Sequence, residues 1–410
     1  MQVGIIDAEI IGKSKHRFPN LCCMKISAYH KNKGDTVALL LSYDKVRDFD
    51  KVYISKVFTK TEVPDAVLTL PNVTYGGTGF FYDKAPPLPD VIEHTMPDYH
   101  LYDEWVREKI NNGVKRSEFT YYLDYSIGYL TRKCFRGCEF CVNRNYKGVE
   151  EASPLSEFMD TTRPKLCFLD DNFFGYPKWQ ELIQPVIDSG KRFQFKQGLD
   201  ERLLTENKVI EISKWKYDGE VIFAFDNIED KNLIMSKLEL IRKTVPQWKR
   251  ELKFYVFCGW DKNNVYDDAF WEKDIADLFE RITILRAYGA KPYVMRFEKV
   301  YESKYSSFYA TVAAYCNQPS MFKTFTFRLF SQCRGMRKDG YKKYKRDVER
   351  YMKDVGVKGS EWRSMEEIEN LFPHIADKYF DIDRNSDLTL FRVSTSKWLG
   401  DLLRGDEQCK

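Results

Sequence analysis

The chain predicts an α/β fold: an incomplete doubly wound unit, then an open parallel β/α barrel of six strands, then a mostly helical C-terminal region. Three observations predict it. Short apolar strands alternate with amphipathic, helix-length stretches from about residue 120 to 300. Three prolines within residues 86–89 interrupt the chain before that repeat begins. Beyond Phe330 no strand signal is strong, and Tyr341–Val355 reads as a charged helix.

The first unit, residues 1–85, is Rossmann-like. A strand at Val3–Asp7 leads to a helix over Leu21–Lys33 that ends at Gly34, and strands follow at Thr36–Leu41, Lys51–Ser55 and Asn72–Tyr75. The last strand runs into Gly76-Gly77-Thr78-Gly79, a turn that can bring backbone close to a ligand or be a bare tight turn. Residues 86–119 read as a linker, residues 120–320 as the barrel, and residues 321–410 as a helical basic region. The six barrel strands are placed at Tyr122–Leu130, Lys165–Leu169, Arg192–Lys196, Glu220–Phe225, Lys253–Phe257 and Lys291–Met295. Helices lie between them at Lys178–Ser189, Leu203–Tyr217, Asp230–Thr244 and Asp267–Tyr288, where apolar residues recur every three to four positions.

Bulk composition narrows the function class. The 410 residues, 43% hydrophobic and 15% aromatic, carry enough core for two or three domains. A net charge of +4, from 65 basic against 61 acidic residues, gives no overall polycationic pull toward nucleic acid or membrane. The longest apolar runs, such as Val37–Leu41, fall far short of a bilayer span. Met1 and Gln2 run directly into a buried strand without a charged-then-apolar leader, so the ten cysteines are expected in a reducing, cytoplasmic setting, where clusters bind metal or do redox chemistry.

The decisive segment is Cys134-Phe135-Arg136-Gly137-Cys138-Glu139-Phe140-Cys141, directly after the first barrel strand. Three thiolates within eight residues can hold three corners of an iron-sulfur cube, with Gly137 permitting the tight turn between them and one iron left without a protein ligand. Arg132, Lys133 and Arg136 are expected to favour the thiolate form. The alternatives are a zinc knuckle or three unligated thiols. Structural zinc takes four ligands, yet the next cysteine is Cys167, inside a predicted strand, and the nearest preceding histidine is His100.

The CxxxCxxC spacing, with an aromatic residue, Phe140, just before the last cysteine, resembles the signature of the radical S-adenosylmethionine (SAM) superfamily over roughly residues 120–300. The resemblance implies a partial (β/α)6 radical SAM barrel. It also implies a 4Fe-4S cluster whose open iron chelates SAM, and reductive cleavage of SAM to a 5'-deoxyadenosyl radical that acts on an unidentified substrate. An external electron donor such as a flavodoxin or ferredoxin would supply the electron.

In β/α barrels, residues at the C-terminal ends of strands line the site. Asp170-Asp171-Asn172 stands where the family usually carries a Gly-Gly-Glu-like segment contacting the methionine amine, so Asp170 and Asp171 are candidates for that amine, with a surface Asx turn as the other reading. Gln197 follows the third strand. Arg202 is a candidate for the SAM carboxylate, or an ion pair with a neighbouring acid. Asp226 is a candidate for the ribose hydroxyls and Gly259 for close approach to the adenine. Arg296 is a candidate for an anionic group, or an ion pair with Glu298.

The Rossmann-like start, the Pro-rich break and the approach Tyr129-Leu130-Thr131 resemble the cobalamin-binding branch of that superfamily, which would allow cobalamin-dependent methyl transfer. The branch's Asp-x-His-x-x-Gly pattern is absent, and Val63-Pro64-Asp65 interrupts the usual third helix, so a vestigial scaffold is the favoured reading of this domain. Cys22 and Cys23 point to different faces of one helix and read as core, while His16 and His30 read as solvated or hydrogen-bonded. Between Phe322 and Lys358, twelve Lys or Arg stand against four acids, with Tyr341, Tyr344 and Tyr351 interleaved. Such a stretch is a solvated helix face or, alternatively, a surface that tracks nucleic-acid phosphates and stacks bases.

Overall fold

In the structure, a computed structural model that describes residues 1–337 and 339–393, the chain is mixed α/β with parallel sheets. Lys338 of the basic stretch and residues 394–410 of the expected C-terminal helical region lie outside the described residues. The chain divides into two compact units, Met1–Gly198 with Trp215–Asp218, and Leu199–Lys214 with Gly219–Lys410.

The first unit opens on a four-stranded parallel sheet of β1 (Gln2–Asp7), β2 (Thr36–Leu39), β3 (Lys51–Ser55) and β4 (Val73–Gly76) in the order β2-β1-β3-β4. Val3, Ile5 and Ile6 of β1 are all fully buried, as a strand covered on both faces requires. The helix Leu21–Asn32 starts where Asn20 turns its side-chain oxygen to the Cys23 N–H at 3.2 Å. As expected, Cys23 is buried, and His30 is hydrogen-bonded to Asp35 (2.7 Å) and Tyr53 (3.1 Å).

The segment expected as a linker is instead core. Its helix Asp103–Asn111 buries Trp105 and Val106 in the cluster that contains Ile5, Met24, Phe119, Tyr122, Ile127 and Cys167. The Trp105 ring meets those of Phe119 and Tyr122 at 5.4 and 5.5 Å between centroids. The prolines mark where regular structure stops, but the residues after them carry an apolar helix face that has to be covered.

The predicted strand Tyr122–Leu130 begins late: Thr120–Leu123 is a helical turn, and β5 spans Tyr125–Gly128. Tertiary packing overrides strand propensity here, since Tyr122 closes the cluster around Trp105 and its hydroxyl reaches the Phe18 carbonyl at 3.1 Å. Next come β6 (Thr131–Arg132) and β7 (Glu150–Glu151), an antiparallel ribbon pairing Thr131 with Glu151 and Arg132 with Glu150. β8 (Lys165–Phe168) and β9 (Arg192–Phe195) complete a parallel sheet in the order β5-β8-β9. The outer edge of β9 is taken by residues 215–218: Phe193 bridges Tyr217, and the Tyr217 hydroxyl receives the Phe195 N–H at 2.9 Å.

In the second unit, β10 (Val221–Ala224), β11 (Leu252–Cys258) and β12 (Lys291–Arg296) form a parallel sheet in that order. Strands therefore stand at all six expected places, and they pair as two three-stranded sheets, one in each unit. The helices Lys231–Thr244 and Asp268–Ala287 stand between the strands of the second sheet as expected, the latter capped by the Asp267 carboxylate on the Phe270 N–H (2.9 Å). Beyond them the described chain is helical, and Phe279, Phe308, Phe327 and Phe380 pack ring against ring.

The single helix expected over Tyr341–Val355 is two, Gly340–Tyr344 and Val348–Asp354, broken at Lys345, whose φ of 55° leaves the helical region. Tyr344 and Tyr351 point inward and are buried, leaving only Tyr341 of the three tyrosines exposed. Two of the three aromatic rings that a base-stacking surface would use are thus core. Among the described residues no helix is long and apolar enough to cross a membrane.

Candidate metal centre

The cysteine loop occupies residues 133–149, and the β6–β7 ribbon pins its two ends together. Cys134, Cys138 and Cys141 are each partly exposed. The turn between them is built as the spacing predicts: Gly137 has φ 62°, and the Cys141 N–H closes on the Cys138 carbonyl at 2.9 Å. Backbone N–H groups point at two of the sulfurs, Arg136 N–H at Cys134 Sγ (3.5 Å) and Asn143 N–H at Cys141 Sγ (3.4 Å), and the Asn172 Nδ2 donates to Cys134 Sγ at 3.4 Å. Donors around thiolate sulfurs compensate the charge of a ligated cluster.

Three consecutive residues after β8 hold this loop. Asp170, fully buried, accepts the N–H groups of Leu130 (3.1 Å) and Thr131 (2.7 Å) and the Thr131 hydroxyl (2.7 Å). Asp171 accepts the Lys133 N–H and the Asn143 Nδ2, both at 2.8 Å, so one carboxylate ties the loop before its first cysteine and after its last. It also holds Lys133 at φ 70°, a conformation an L-residue adopts at a cost. Asn172 reaches the first sulfur. The carboxylates expected to meet the methionine amine are therefore spent on the loop, and burial pushes Asp170 up to about 7 and raises Asp171.

A second brace comes from the N-terminal region. The Tyr82 hydroxyl donates to the Phe140 carbonyl at 2.5 Å, and Asp83 accepts from Arg144 Nε (2.8 Å) and Asn145 Nδ2 (2.9 Å). Nothing in the sequence marks Tyr82 or Asp83 as loop contacts; Asn143 and Asn172 were legible only as neighbours of residues already singled out.

The expected thiolate-favouring role of the nearby cations does not hold for Cys141. Burial raises its thiol, against the Asn143 N–H, which lowers it. Arg132 pairs with Glu93 (3.0 Å) and Lys133 with Glu150 (2.8 Å), so their charge is directed to carboxylates. A bare Cys141 keeps its proton, and a metal must displace it. Cys167 is wholly buried in β8, and His100, exposed, meets Asp103 through Nδ1 at 2.8 Å. Among the described residues no three Cys, His, Asp or Glu side chains gather around a single metal position. A cube does not ask for that, since each thiolate takes its own iron.

No family model and no curated protein matches this chain. Among solved structures, the radical S-adenosylmethionine methyltransferase TsrM from Kitasatospora setae, with cobalamin and a [4Fe-4S] cluster bound, is similar at TM-score 0.47 and 10% identity over 72% of this chain and 74% of that one.

The remaining candidates at strand ends are mostly engaged within the protein. Gln197, after β9, is exposed. In the second unit, Arg202 pairs with Asp200 (2.8 Å) and Asp230 (3.5 Å), which is the ion-pair reading and not a free carboxylate receptor. Asp226 accepts the Phe257 N–H at 2.9 Å, with burial pushing it up to about 6. Gly259, at φ 78°, gives its N–H to both oxygens of Asp274 (3.0 and 3.1 Å), and a Cβ there would lie 2.1 Å from Val300 Cγ2. Its positive φ and its packing on Val300 account for a glycine here. Arg281, buried and unflagged by sequence, donates to the carbonyls of Phe225, Asp226 and Phe257 at the ends of β10 and β11. The Arg296 guanidinium lies 4.8 Å over the Tyr301 ring and not against Glu298.

At the ligand edge of the N-terminal sheet, side chains bridge the ends of β1 and β3. With strand order β2-β1-β3-β4, a ligand belongs at the C-terminal ends of β1 and β3, the topological switch point. There the Tyr102 hydroxyl donates to Asp7 Oδ2 (2.9 Å) and receives the Asn20 N–H (3.2 Å), while Asn20 Nδ2 bonds Ser55 Oγ at 2.8 Å. The Gly76–Gly79 turn packs on the chain after β3: a Cβ on Gly77 would lie 2.3 Å from the Lys56 carbonyl oxygen. These glycines serve backbone packing.

Proposed function

We propose that the chain is a radical SAM enzyme in which Cys134, Cys138 and Cys141 each ligate one iron of a 4Fe-4S cluster and the fourth iron stays open for SAM. The observation that carries this reading is the loop itself: a CxxxCxxC segment whose first and last sulfurs already receive three N–H donors, with its ends closed by Asp171. Zinc in a closed structural site would ask for four protein ligands around one position, and among the described residues no such group is gathered. When bound, such a cluster supplies a low-potential electron at an iron with a vacant position, the chemistry that splits SAM in this superfamily.

The protein's own residues do three things in this reading. Asp170 and Asp171 fix the backbone on which the sulfurs hang. The amides of Arg136, Asn143 and Asn172 spread the negative charge of the thiolates. Tyr82 and Asp83 hold the exit of the loop, so the N-terminal region enters as a scaffold for the metal centre and not as a cobalamin site. The hydrogen donor acted upon and the electron donor are external.

Anaerobic reconstitution tests the reading. About four irons and four sulfides per chain, an absorbance shoulder near ~400 nm lost in Cys134→Ala, and 5'-deoxyadenosine formed from SAM with dithionite are expected. Protein that binds zinc tightly, or that carries iron and sulfide without ever cleaving SAM, refutes it.

A further inference from the structure

The second unit contains a cavity of roughly 670 Å3 that the iron-sulfur reading leaves unused. It lies where the helix Asp268–Ala287 ends and β12 begins, opposite the strand ends discussed above. Five cations line it, Arg286, Lys291, Lys323, Arg384 and Arg392, against a single acid, Asp387. That volume is within the range of small-ligand sites, roughly 300–1,000 Å3.

The two lysines are already neutralised. Lys291 pairs with Glu220 at 3.0 Å and with Glu251, and Lys323 pairs with Glu251 at 2.5 Å. The arginines are different. Among the described residues none of the three pairs with a carboxylate. Arg286 lies flat on the Phe322 ring, 4.0 Å from its centroid, and donates to the Tyr315 hydroxyl at 2.5 Å. Arg392 gives both its Nε and its Nη2 to the Ala287 carbonyl, at 2.9 and 2.5 Å, where it caps the helix C-terminus. Arg384 is exposed. The nearby acids are bonded to other donors: Asp387 accepts the N–H and hydroxyl of Thr389 (3.0 and 2.8 Å), and Asp383, although it also feels the charge of Arg286, accepts the N–H groups of Asn385 and Ser386 (2.7 and 3.1 Å).

We propose that this cavity binds a phosphate-bearing ligand through Arg286, Arg384 and Arg392. Two of the guanidiniums are held in place by a ring and by a helix end, so part of the entropy of assembling a receptor is spent in folding. Arg384 is exposed with its planar fork, which matches oxyanions, and Arg286 and Arg392 add the donors not given to Tyr315 and Ala287. Together these offer more donors than one carboxylate has lone pairs to satisfy, whereas a phosphate or diphosphate meets them, and the volume leaves room for the group that carries it. The phosphate can come from a free small-molecule ester or from a nucleic-acid backbone.

Calorimetric titration of the full-length, reconstituted protein with inorganic pyrophosphate tests the site. Saturable one-site binding is expected, weakened about tenfold or more in Arg384→Gln, a loss in keeping with one charge-assisted hydrogen bond. Arg384→Gln should melt as the parent does without ligand, which separates lost binding from lost folding. Arg392→Gln should weaken binding as well. A short single-stranded RNA added as competitor then identifies the source: displacement of pyrophosphate assigns the site to a nucleic-acid backbone, and coexistence assigns it to a small phosphate ester. Absence of saturable binding, or equal affinity in both arginine variants and the parent, overturns the proposal. The titration reads anion binding and not SAM cleavage, so its failure leaves the assignment of the cysteine loop untouched.

Discussion

One carboxylate, that of Asp171, accepts both the Lys133 N–H and the Asn143 side-chain amide at 2.8 Å, joining the residue before Cys134 to the second residue after Cys141. The loop is thereby closed across its base by a residue from the end of β8. Removing this acceptor leaves two donors without their partner and frees Lys133 to leave its left-handed conformation. Asp171→Ala is expected to cost about 2–4 kcal/mol of local stability, since hydrogen bonds to a charged group are worth ~1.5–3 kcal/mol each and water recovers part of the loss. Reconstituted Asp171→Ala should hold several-fold less iron than the parent at equal protein recovery. Equal iron content in the two would show that the clasp does not hold the loop.

Asn172 acts on the sulfur. Its Nδ2 donates to Cys134 Sγ at 3.4 Å, and donors to sulfur stabilise the more negative, reduced cluster. Asn172→Ala should retain the cluster but lower its reduction potential, by on the order of tens of mV. Potentiometric titration followed by electron paramagnetic resonance measures this, and an unchanged or raised potential contradicts it.

Glu201, buried in the second unit, has its carboxyl pushed from 4.5 up to about 8, first by burial and then by the neighbouring Asp200. An acid whose folded value is raised binds its proton more tightly in the native state. Its stabilisation is therefore complete below the unfolded value and is lost as pH rises from 4.5 toward about 8. Glu201→Gln should match the parent near the acid end of that window and melt a few degrees (~2–4 °C) higher at its alkaline end. A Tm difference that does not grow with pH would remove Glu201 as the cause.

At the ligand edge of the N-terminal sheet, Tyr102 bridges Asp7 and the Asn20 N–H. Tyr102→Phe keeps the ring and deletes the bridge, leaving buried partners unsatisfied at a cost of about 1–3 kcal/mol, measurable by urea unfolding. Parent protein incubated with hydroxocobalamin and desalted should carry no corrinoid absorbance. Stoichiometric retention would make the N-terminal region a cobalamin site.

The secondary structure was largely legible because it rests on local patterning. Lys51–Ser55 appears as expected, and the starts of the helices Lys231–Thr244 and Asp268–Ala287 fall within one residue of their expected positions. What failed depended on distant partners. Tyr122 belongs to a helical turn because Trp105 and Phe18 lie beside it, and the linker is core because Trp105 needs cover. The polar strand ends misled for the same reason. Asp170, Asp226 and Gly259 look alike in sequence whether they face a ligand or a neighbouring strand, and only Leu130, Phe257 and Asp274 reveal which.

By itself the amino-acid order determined the three closely spaced thiols, the parallel β/α rhythm and the glycine that turns the loop, because spacing and backbone preference act over a few residues. Only the tertiary structure decided what surrounds them: Asp171 astride the loop, Tyr102 bridging at the edge of the first sheet, and three arginines collected around one cavity. Those relationships include Asp171 with Asn143, 28 positions apart, and Tyr102 with Asp7, 95 apart. Burial and hydrogen-bond satisfaction select such partners, and neither leaves a local mark in the chain.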